Sequence, residues 1–188
     1  MAKTIKIDKE KIIQAAFELV KAEGEKGLNA RVLAQKLGCS TQPIFSNFSS
    51  MDEVKSAVIQ RVGELYTQYT KAEMERTDQP AYKSSGMAYV RFAREESELF
   101  KLLFMRNRSQ ERGDETYLLK PIVEIIMQAT GLTEELAYLL HVEMWTCVHG
   151  IATMLATSYL QWDEQTISMM LTDVYNGLKD RFVNGRKE

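Results

Sequence analysis

The 188-residue sequence predicts an all-α protein of about nine helices. Only 3 Pro and 10 Gly interrupt long stretches rich in Ala, Leu, Glu, Lys and Met, which are residues that favour helices. Apolar residues recur mainly at spacings of three and four, and no segment shows the alternation typical of a strand. At 45% hydrophobic and 27% charged, the composition suits a soluble protein with a sizeable core.

The N-terminal quarter contains three short helical patterns. The first covers about residues 8–22, has apolar residues near the 3.6-residue period, and breaks at Gly24. A second pattern follows Asn29, which is placed to cap it, and ends at Gly38, a residue suited to left-handed geometry. Ser40 is expected to cap the third helix.

Longer helical patterns follow. Ser50 and Glu53 form a capping-box pair for a helix that reaches about residue 76. Further helices are expected over about 81–96, 98–106, 121–129, 133–160 and from Asp163 onward. The last helix carries a coiled-coil-like seam with alternating spacings of four and three: Ile167, Leu171, Val174 and Leu178.

Charge and cysteine content narrow the class of protein. Cys39 and Cys147 lie far apart in a chain without a secretory h-region, so we expect no disulfide framework and a cytoplasmic location. The longest apolar run, 144–160, falls short of the roughly 20 residues of a membrane span, so we expect a buried helix and no membrane contact.

The net charge is −2, yet residues 1–50 carry 8 Lys+Arg against 5 Asp+Glu. Four of these basic residues form an N-terminal arm suited to phosphates: Lys3, Lys6, Lys9 and Lys11.

The main functional signal is the segment 29–48, NARVLAQKLGCSTQPIFSNF. Two short helices joined by a turn with Gly38 are typical of a helix-turn-helix, and Ala34 leaves space for the helices to cross. The apolar residues expected to bury are Val32, Leu33, Leu37, Ile44 and Phe48. The residues left outward on the second helix are Thr41, Gln42, Pro43, Phe45, Ser46 and Asn47. They include two amides suited to base edges and no acid, whereas the alternative, a plain helical hairpin, would normally expose more Glu and Lys.

Residues 10–60 resemble the DNA-binding domain of TetR-type transcriptional regulators. The matching segments are AAFELVKAEG and GLNARVLAQKLGCSTQPIFSNFSSMDEV. The family's usual pattern reads approximately G-V-S-x-G-T-L-Y-x-H-F-x-x-K-x-x-L, which is matched by Gly38, Cys39, Ser40, Ile44, Phe48 and Val54. A weaker resemblance extends through AYVRFAREESELFKLLF and WTCVHGIATML, so that together the likeness covers most of the chain.

Five residues depart from the family pattern. Phe45 replaces the usual tyrosine and loses its hydroxyl, Asn47 replaces a histidine, and Met51 replaces a lysine. Phosphate contacts near Met51 are therefore expected from backbone amides at that helix N-terminus and from Lys55. Gln42 and Pro43 stand where small residues are common in the family. This difference implies an unusual operator half-site.

The resemblance implies a ligand-responsive regulator, most simply a repressor that a small-molecule effector releases from a palindromic double-stranded DNA operator. Residues 1–50 would form a three-helix DNA-binding head, a helix over about 50–76 its connecting strut, and residues 51–188 a larger ligand-binding and dimerisation body. The expected base contacts are Gln42, Thr41, Pro43 and Asn47. The expected backbone contacts are Phe45, Asn29, Arg31, Ser40, Lys55 and Lys6 with its neighbouring lysines. The alternative is a helical adaptor that does not contact DNA.

The last two helices are expected to pair two subunits into a homodimer through a four-helix bundle. Small residues would clear one face of the penultimate helix, and the seam of the last helix would add to it. The interface residues are expected to be Gly150, Thr153, Thr157, Ile167, Leu171, Val174 and Leu178.

A Met and aromatic lining in the body would suit a pocket for an apolar or cationic ligand, although core packing is the simpler role for each residue. The candidate lining is Phe92, Phe104, Met105, Tyr117, Met127, Met144 and Trp145. No catalytic set, cofactor motif or metal site is expected. His141 and His149 lie eight residues apart, about 80° around one helix, and we expect His149 to be buried and His141 partly exposed. Cys147 is expected in the core, with redox sensing as the alternative.

Overall fold

The computed structural model describes residues 7–76, 79–108 and 115–185, and within them every regular element is helical. This confirms the predicted all-α class, and nine α-helices fall in the described part. Their bounds are α1 Lys9–Glu23, α2 Ala30–Leu37, α3 Gln42–Asn47, α4 Met51–Arg76, α5 Ala81–Glu95, α6 Ser97–Phe104, α7 Glu115–Thr130, α8 Glu134–Ala156 and α9 Glu164–Asn184.

Local sequence determines several helix ends. The side chains of Asp8, Asn29, Thr133 and Asp163 each accept a hydrogen bond from a backbone N–H of the helix that follows. Gly38 ends α2 in the left-handed conformation, with φ 66° and ψ 32°. The caps at Asn29 and Asp163 were predicted, because each depends only on a few neighbouring residues.

The start of α3 differs from the prediction that Ser40 caps it. The helix begins at Gln42, with Thr41 in the capping position and no side-chain capping hydrogen bond. Pro43 carries no N–H to satisfy, and the Thr41 carbonyl accepts the next two backbone N–H groups at 3.1 and 3.2 Å. The first turn therefore has little need of a serine cap.

The predicted capping box of α4 is half formed. The Ser50 hydroxyl oxygen accepts the Glu53 N–H at 3.2 Å. The Glu53 carboxylate, however, accepts from the N–H and the hydroxyl of Ser49 at 2.7 and 2.9 Å, rather than from Ser50. These bonds hold the pKa of Glu53 below its ordinary value.

Two other helix boundaries also differ from the sequence patterns. The helix expected from Pro121 starts at Glu115, so the proline lies inside α7 and not at its beginning. The helix expected to reach about residue 160 ends at Ala156, and Ser158 then adopts φ 56° in the left-handed region. This turn ends the helix even though the residues up to 160 belong to the longest apolar run of the sequence.

The first compact unit comprises the described residues up to Thr67 together with Glu96–Arg106. Its core is fully buried and draws on five helices: Ile12, Ala16 and Val20 of α1, Leu33 of α2, Ile44 of α3, Val54, Val58 and Val62 of α4, and Leu99 and Phe100 of α6. An ion pair of 2.6 Å between Lys21 and Glu96 also joins α1 to the residue that precedes α6. α6 thus completes the core under the N-terminal helices although it comes late in the chain.

The second compact unit comprises Gln68–Glu95 and the described residues from Asn107 onward. α8 is central in it, because it packs against α5, α7 and α9. It is also the one helix in the described ranges that is long and apolar enough to cross a membrane by length and composition alone. Within its most apolar stretch, 44% is buried inside the protein.

The two histidines are buried in the opposite order from the prediction. His141 is 7% exposed and lies 3.1 Å from the Tyr82 hydroxyl, whereas His149 is half-buried and lies 2.8 Å from the Tyr89 hydroxyl. α5 supplies both tyrosines, so it contacts both histidines. Burial lowers the pKa of both imidazoles.

Candidate nucleic-acid interface

α2 and α3 form the predicted helix-turn-helix on the surface of the first unit. Leu33 and Ile44 are fully buried, Ala34 is 4% exposed and Phe48 is 2% exposed. The remaining apolar positions, Val32 and Leu37, are only half-buried. One face of each short helix is therefore anchored in the core, which leaves the opposite face of α3 accessible.

The accessible face of α3 carries Gln42, Phe45 and Ser46. Phe45 is a large apolar residue with 49% of its surface exposed. The Ser46 hydroxyl donates 2.9 Å to the Gln42 carbonyl, so its hydrogen is used within the helix. Thr41 and Pro43 flank this face and are half-buried. The face carries no acidic side chain, which suits an anionic partner.

Asn47, a predicted base contact, uses its amide nitrogen within the protein. The side chain is half-buried, and its Nδ2 donates 2.8 Å to the Pro43 carbonyl and 3.5 Å to the Ile7 carbonyl. Asn47 therefore connects the end of α3 to Ile7, which lies two residues before α1.

The predicted phosphate-contacting residues occupy different environments. Asn29, Arg31 and Ser40 are exposed, although the Asn29 side-chain oxygen is engaged by the N–H groups of the first turn of α2. Lys55 is half-buried and forms an ion pair with Glu25. Lys6 lies outside the described residues.

Two further charges alter the expected phosphate site at the start of α4. Asp52 and Glu53 occupy its first turn, so negative charge lies where backbone amides were expected to bind phosphate. Lys9 offsets part of it, because its Nζ lies 3.3 Å from Glu53 and 4.7 Å from the Phe48 ring centre. The helix N-terminus is thus less suited to phosphate than the sequence pattern suggested.

The candidate pocket residues are dispersed. Phe92 and Met144 are buried, Met127 packs partly buried against a core cluster, and Trp145 is 46% exposed with its ring stacked on His149. Phe104 and Met105 belong to the first unit. The Tyr117 side chain lies outside the described part of the structure.

The second unit contains a cleft of about 120 Å³ that the sequence analysis did not identify. None of the candidate pocket residues lines it. Its lining combines apolar and charged residues: Glu73, Met87, Val90, Arg91, Arg94, Glu95, Glu164 and Ile167. Arg91 donates 2.7 Å to Glu95 and lies 3.5 Å from Glu73, which raises its pKa. The spacing of Arg91 and Glu95 as an i, i+4 pair was the available sequence signal.

Two of the predicted dimer residues are not available to a partner. Ile167 is 1% exposed and Leu171 is 2% exposed, because this side of α9 packs within its own subunit. Leu178 is partly buried against the core cluster of the same unit, and Val174 is half-buried. The seam therefore stabilises the subunit.

The small residues of α8 are more exposed than the buried seam residues of α9. Thr157 is exposed, and Gly150 and Thr153 are half-buried. A Cβ atom built on Gly150 would have no heavy atom within 4 Å beyond its own helix, so this position faces open space. The exposed large apolar residues nearest in sequence are Trp145 and Met154.

Metal and thiol chemistry find little support. The described residues contain no group of three or more His, Cys, Asp and Glu side chains that could hold a metal ion. Cys39 and Cys147 are free and half-buried. Burial raises the pKa of Cys147, which disfavours the reactive thiolate.

Comparison with known proteins adds independent information. A family model described as "Tetracyclin repressor-like, C-terminal domain" matches residues 83–174. The helix-turn-helix transcriptional regulator YobS of Bacillus subtilis is 18% identical over 190 residues, covering 99% of this chain and 98% of YobS. The regulator Rv0681 of Mycobacterium tuberculosis, of the same type, is 20% identical over 179 residues, covering 93% of this chain and 81% of Rv0681.

Two solved structures share the fold. A TetR-like transcriptional regulator from Rhodococcus sp. RHA1 superposes with a TM-score of 0.67 at 14% identity, covering 99% of this chain and 100% of the other. A TetR family member from Streptomyces coelicolor A3 gives a TM-score of 0.63 at 18% identity, covering 88% and 96%.

Proposed function

The chain belongs to the TetR family of transcriptional regulators, and from that premise we propose that it is a ligand-responsive repressor. It would bind a palindromic operator as a homodimer in the cytoplasm and leave the operator when a small-molecule effector binds. No catalytic role, cofactor or membrane contact is part of this proposal.

The observation that carries the proposal is the exposure of α3. Ile44 and Phe48 anchor the helix in the core, while Gln42 and Phe45 remain exposed on a face without acidic residues. A helix that is anchored in this way and presents an amide side chain can enter the major groove and meet base edges.

The proposed DNA contacts are exposed or half-buried residues, apart from Lys6, which is proposed from the sequence alone. Gln42 would contact a base, with Thr41 and Pro43 beside it. The proposed backbone contacts are Asn29, Arg31, Ser40, Lys55 and Lys6. Lys55 would exchange its ion pair with Glu25 for a phosphate, a modest cost because half-exposed ion pairs contribute little to stability.

Residues 1–50 would bind DNA, and residues 51–188 would bind the effector and form the dimer. The helix that follows residue 50 would connect the two parts. The charged cleft around Arg91 is a second candidate effector site, separate from the predicted Met and aromatic residues. An effector that binds there should raise the melting temperature and weaken operator binding by the same linked factor.

The proposed dimer uses the outward faces of α8 and α9. Gly150, Thr153 and Thr157 would permit close approach, and exposed Trp145 and Met154 would supply apolar surface. Gly150→Arg should bury an unpaired charge in this interface and give a monomer that no longer binds the operator. Sedimentation that shows a wild-type monomer at micromolar concentration, or a dimeric variant, would reject the interface.

The experiment that tests the function compares Gln42→Ala with Arg31→Ala on operator and random duplex DNA. A bidentate contact from Gln42 to adenine is worth roughly 1–3 kcal/mol of discrimination, so Gln42→Ala should lower operator affinity far more than random-DNA affinity. Arg31→Ala should weaken both and flatten the salt dependence. Equal losses for Gln42→Ala on both DNAs would reject base reading, and a wild-type protein that passes heparin unretained at low salt would favour the adaptor.

A further inference from the structure

Three side chains of α3 are exposed, those of Gln42, Phe45 and Ser46, and Asn47 is half-buried. Ser46 donates its hydroxyl hydrogen to the Gln42 carbonyl, and Asn47 donates its amide to the carbonyls of Pro43 and Ile7. Gln42 and Phe45 remain, and both are exposed. One is an amide that can hydrogen-bond a base edge, and the other is an apolar ring without a hydroxyl.

We propose that Phe45 reads sequence through apolar contact with the C5 methyl group of a thymine. This assignment rests on the proposed function and replaces the phosphate-backbone role that the family resemblance implied. Phe45 cannot donate a hydrogen bond to a phosphate, because its ring carries no polar atom. Among the four bases only thymine presents a methyl group in the major groove. Phe45 is 49% exposed, and burying its ring against that methyl group is favourable.

The spacing of the two residues defines where the thymine lies. Gln42 and Phe45 are three residues apart on one helix, so their side chains are neighbours on the same face, with Cβ atoms about 5–6 Å apart. Base pairs stack about 3.4 Å apart, so the two contacts fall within about two base pairs of each other. Each half-site should therefore contain a thymine beside the base pair read by Gln42.

The surroundings of the ring favour DNA over an apolar protein partner. α3 carries no acidic residue, and α2 presents Arg31 and Lys36 exposed. An exposed apolar ring on a helix without acidic residues complements a groove that has a methyl group inside and phosphates at its edges.

The test is a thymine-to-uracil scan of the operator selected by the wild-type protein from random duplex DNA. Each symmetric thymine pair is replaced by uracil, which removes the methyl group and leaves every hydrogen-bonding group unchanged. Loss of one buried methyl corresponds to about fourfold weaker binding in each half-site, hence about 15-fold for a dimer on two half-sites. Wild-type protein should show this loss at one symmetric pair.

Phe45→Ala provides the decisive comparison, and Gln42→Ala provides the matched control. Phe45→Ala should be insensitive to uracil at that pair, while Gln42→Ala should keep the wild-type sensitivity there. An unchanged melting temperature shows that Phe45→Ala is folded, as expected for a half-exposed side chain. Phe45→Leu, which keeps an apolar contact, should retain part of the sensitivity.

Three results would overturn the assignment. Wild-type protein loses affinity at a uracil pair only if it contacts the missing methyl group, so the absence of a sensitive pair means that no methyl is read. Equal sensitivity in wild type and Phe45→Ala means that another residue contacts the methyl. Failure to select any operator removes the proposed function itself, and the inference with it, which distinguishes that failure from the other two.

Discussion

Asn29 combines a structural role with a proposed DNA contact, and two substitutions separate them. Its side-chain oxygen accepts from the backbone N–H groups of Arg31 and Val32, each at 3.1 Å, at the start of α2. Its side-chain nitrogen is available on an exposed residue to donate to a phosphate. Asn29→Asp keeps the acceptor oxygen and removes the donor, whereas Asn29→Ala removes both.

The magnitudes follow from the capping geometry. Loss of an N-cap side chain costs about 1 kcal/mol, within a range of roughly 0.5–2 kcal/mol. Because the Asn29 oxygen serves two N–H groups, we expect Asn29→Ala to lower the free energy of unfolding by at least the middle of that range. Asp caps helices about as well as Asn, so Asn29→Asp should leave stability nearly unchanged. It should nevertheless weaken DNA binding, because a carboxylate repels phosphate.

Urea denaturation followed by circular dichroism measures the first effect, and fluorescence anisotropy with labelled operator measures the second. The expected pattern is that Asn29→Ala loses stability and some DNA affinity, while Asn29→Asp loses DNA affinity alone. Thr133→Ala, which removes the cap of α8, serves as a control for helix capping away from α3. An Asn29→Ala protein as stable as wild type, or an Asn29→Asp protein with full affinity, would refute the corresponding role.

Three further predictions concern stability. Burial lowers the pKa of His141, so at acidic pH the unfolded chain binds a proton that the folded chain does not bind. The free energy of unfolding should therefore fall as pH drops below about 6.5, by at most about 1.4 kcal/mol per pH unit. Urea titrations at several pH values should show a smaller slope for His141→Gln. Gly38→Ala should cost about 1–2 kcal/mol through its φ of 66° alone, since no atom lies within 4 Å of the added Cβ, and Gly38→Asn should cost less in the same urea assay. Phe92→Ala should cost about 3–5 kcal/mol by thermal or urea unfolding, because the ring is fully buried; a loss below 1 kcal/mol would contradict its core position.

The sequence predicted the features that depend on a few adjacent residues. Asn29 and Asp163 cap the helices expected of them, and Gly38 takes the left-handed conformation, since each needs only its own neighbours. The anchored apolar residues of the helix-turn-helix were also predicted, because Leu33 and Ile44 follow the helical period.

The features that depend on tertiary packing were not predictable in the same way. Periodicity places His141 and His149 about 80° apart on one helix, but it does not say how deeply tertiary packing buries each of them. The apolar seam of α9 had the spacing of a dimer interface, yet Ile167 and Leu171 pack within the subunit. An apolar stripe looks the same whether its partner belongs to the same chain or to another.

Side-chain hydrogen bonding within α3 was equally invisible in the sequence. Asn47 is an amide on a helix that projects polar residues, so base contact was a reasonable prediction. Its donation to the carbonyls of Pro43 and Ile7 depends on where the chain before α1 passes. The cleft around Arg91 escaped notice for the same reason, since its lining comes from three helices.

The central claim is that this protein reads a specific DNA sequence as a dimer, and selection of duplexes from a random library by the full-length protein tests it most directly. We expect enrichment of one near-palindromic site whose half-sites lie about 34–36 Å apart, or a multiple of that, with a thymine beside the base pair contacted by Gln42. No enrichment at a salt concentration that still permits random-DNA binding, or enrichment of a site without two-fold symmetry, would contradict it.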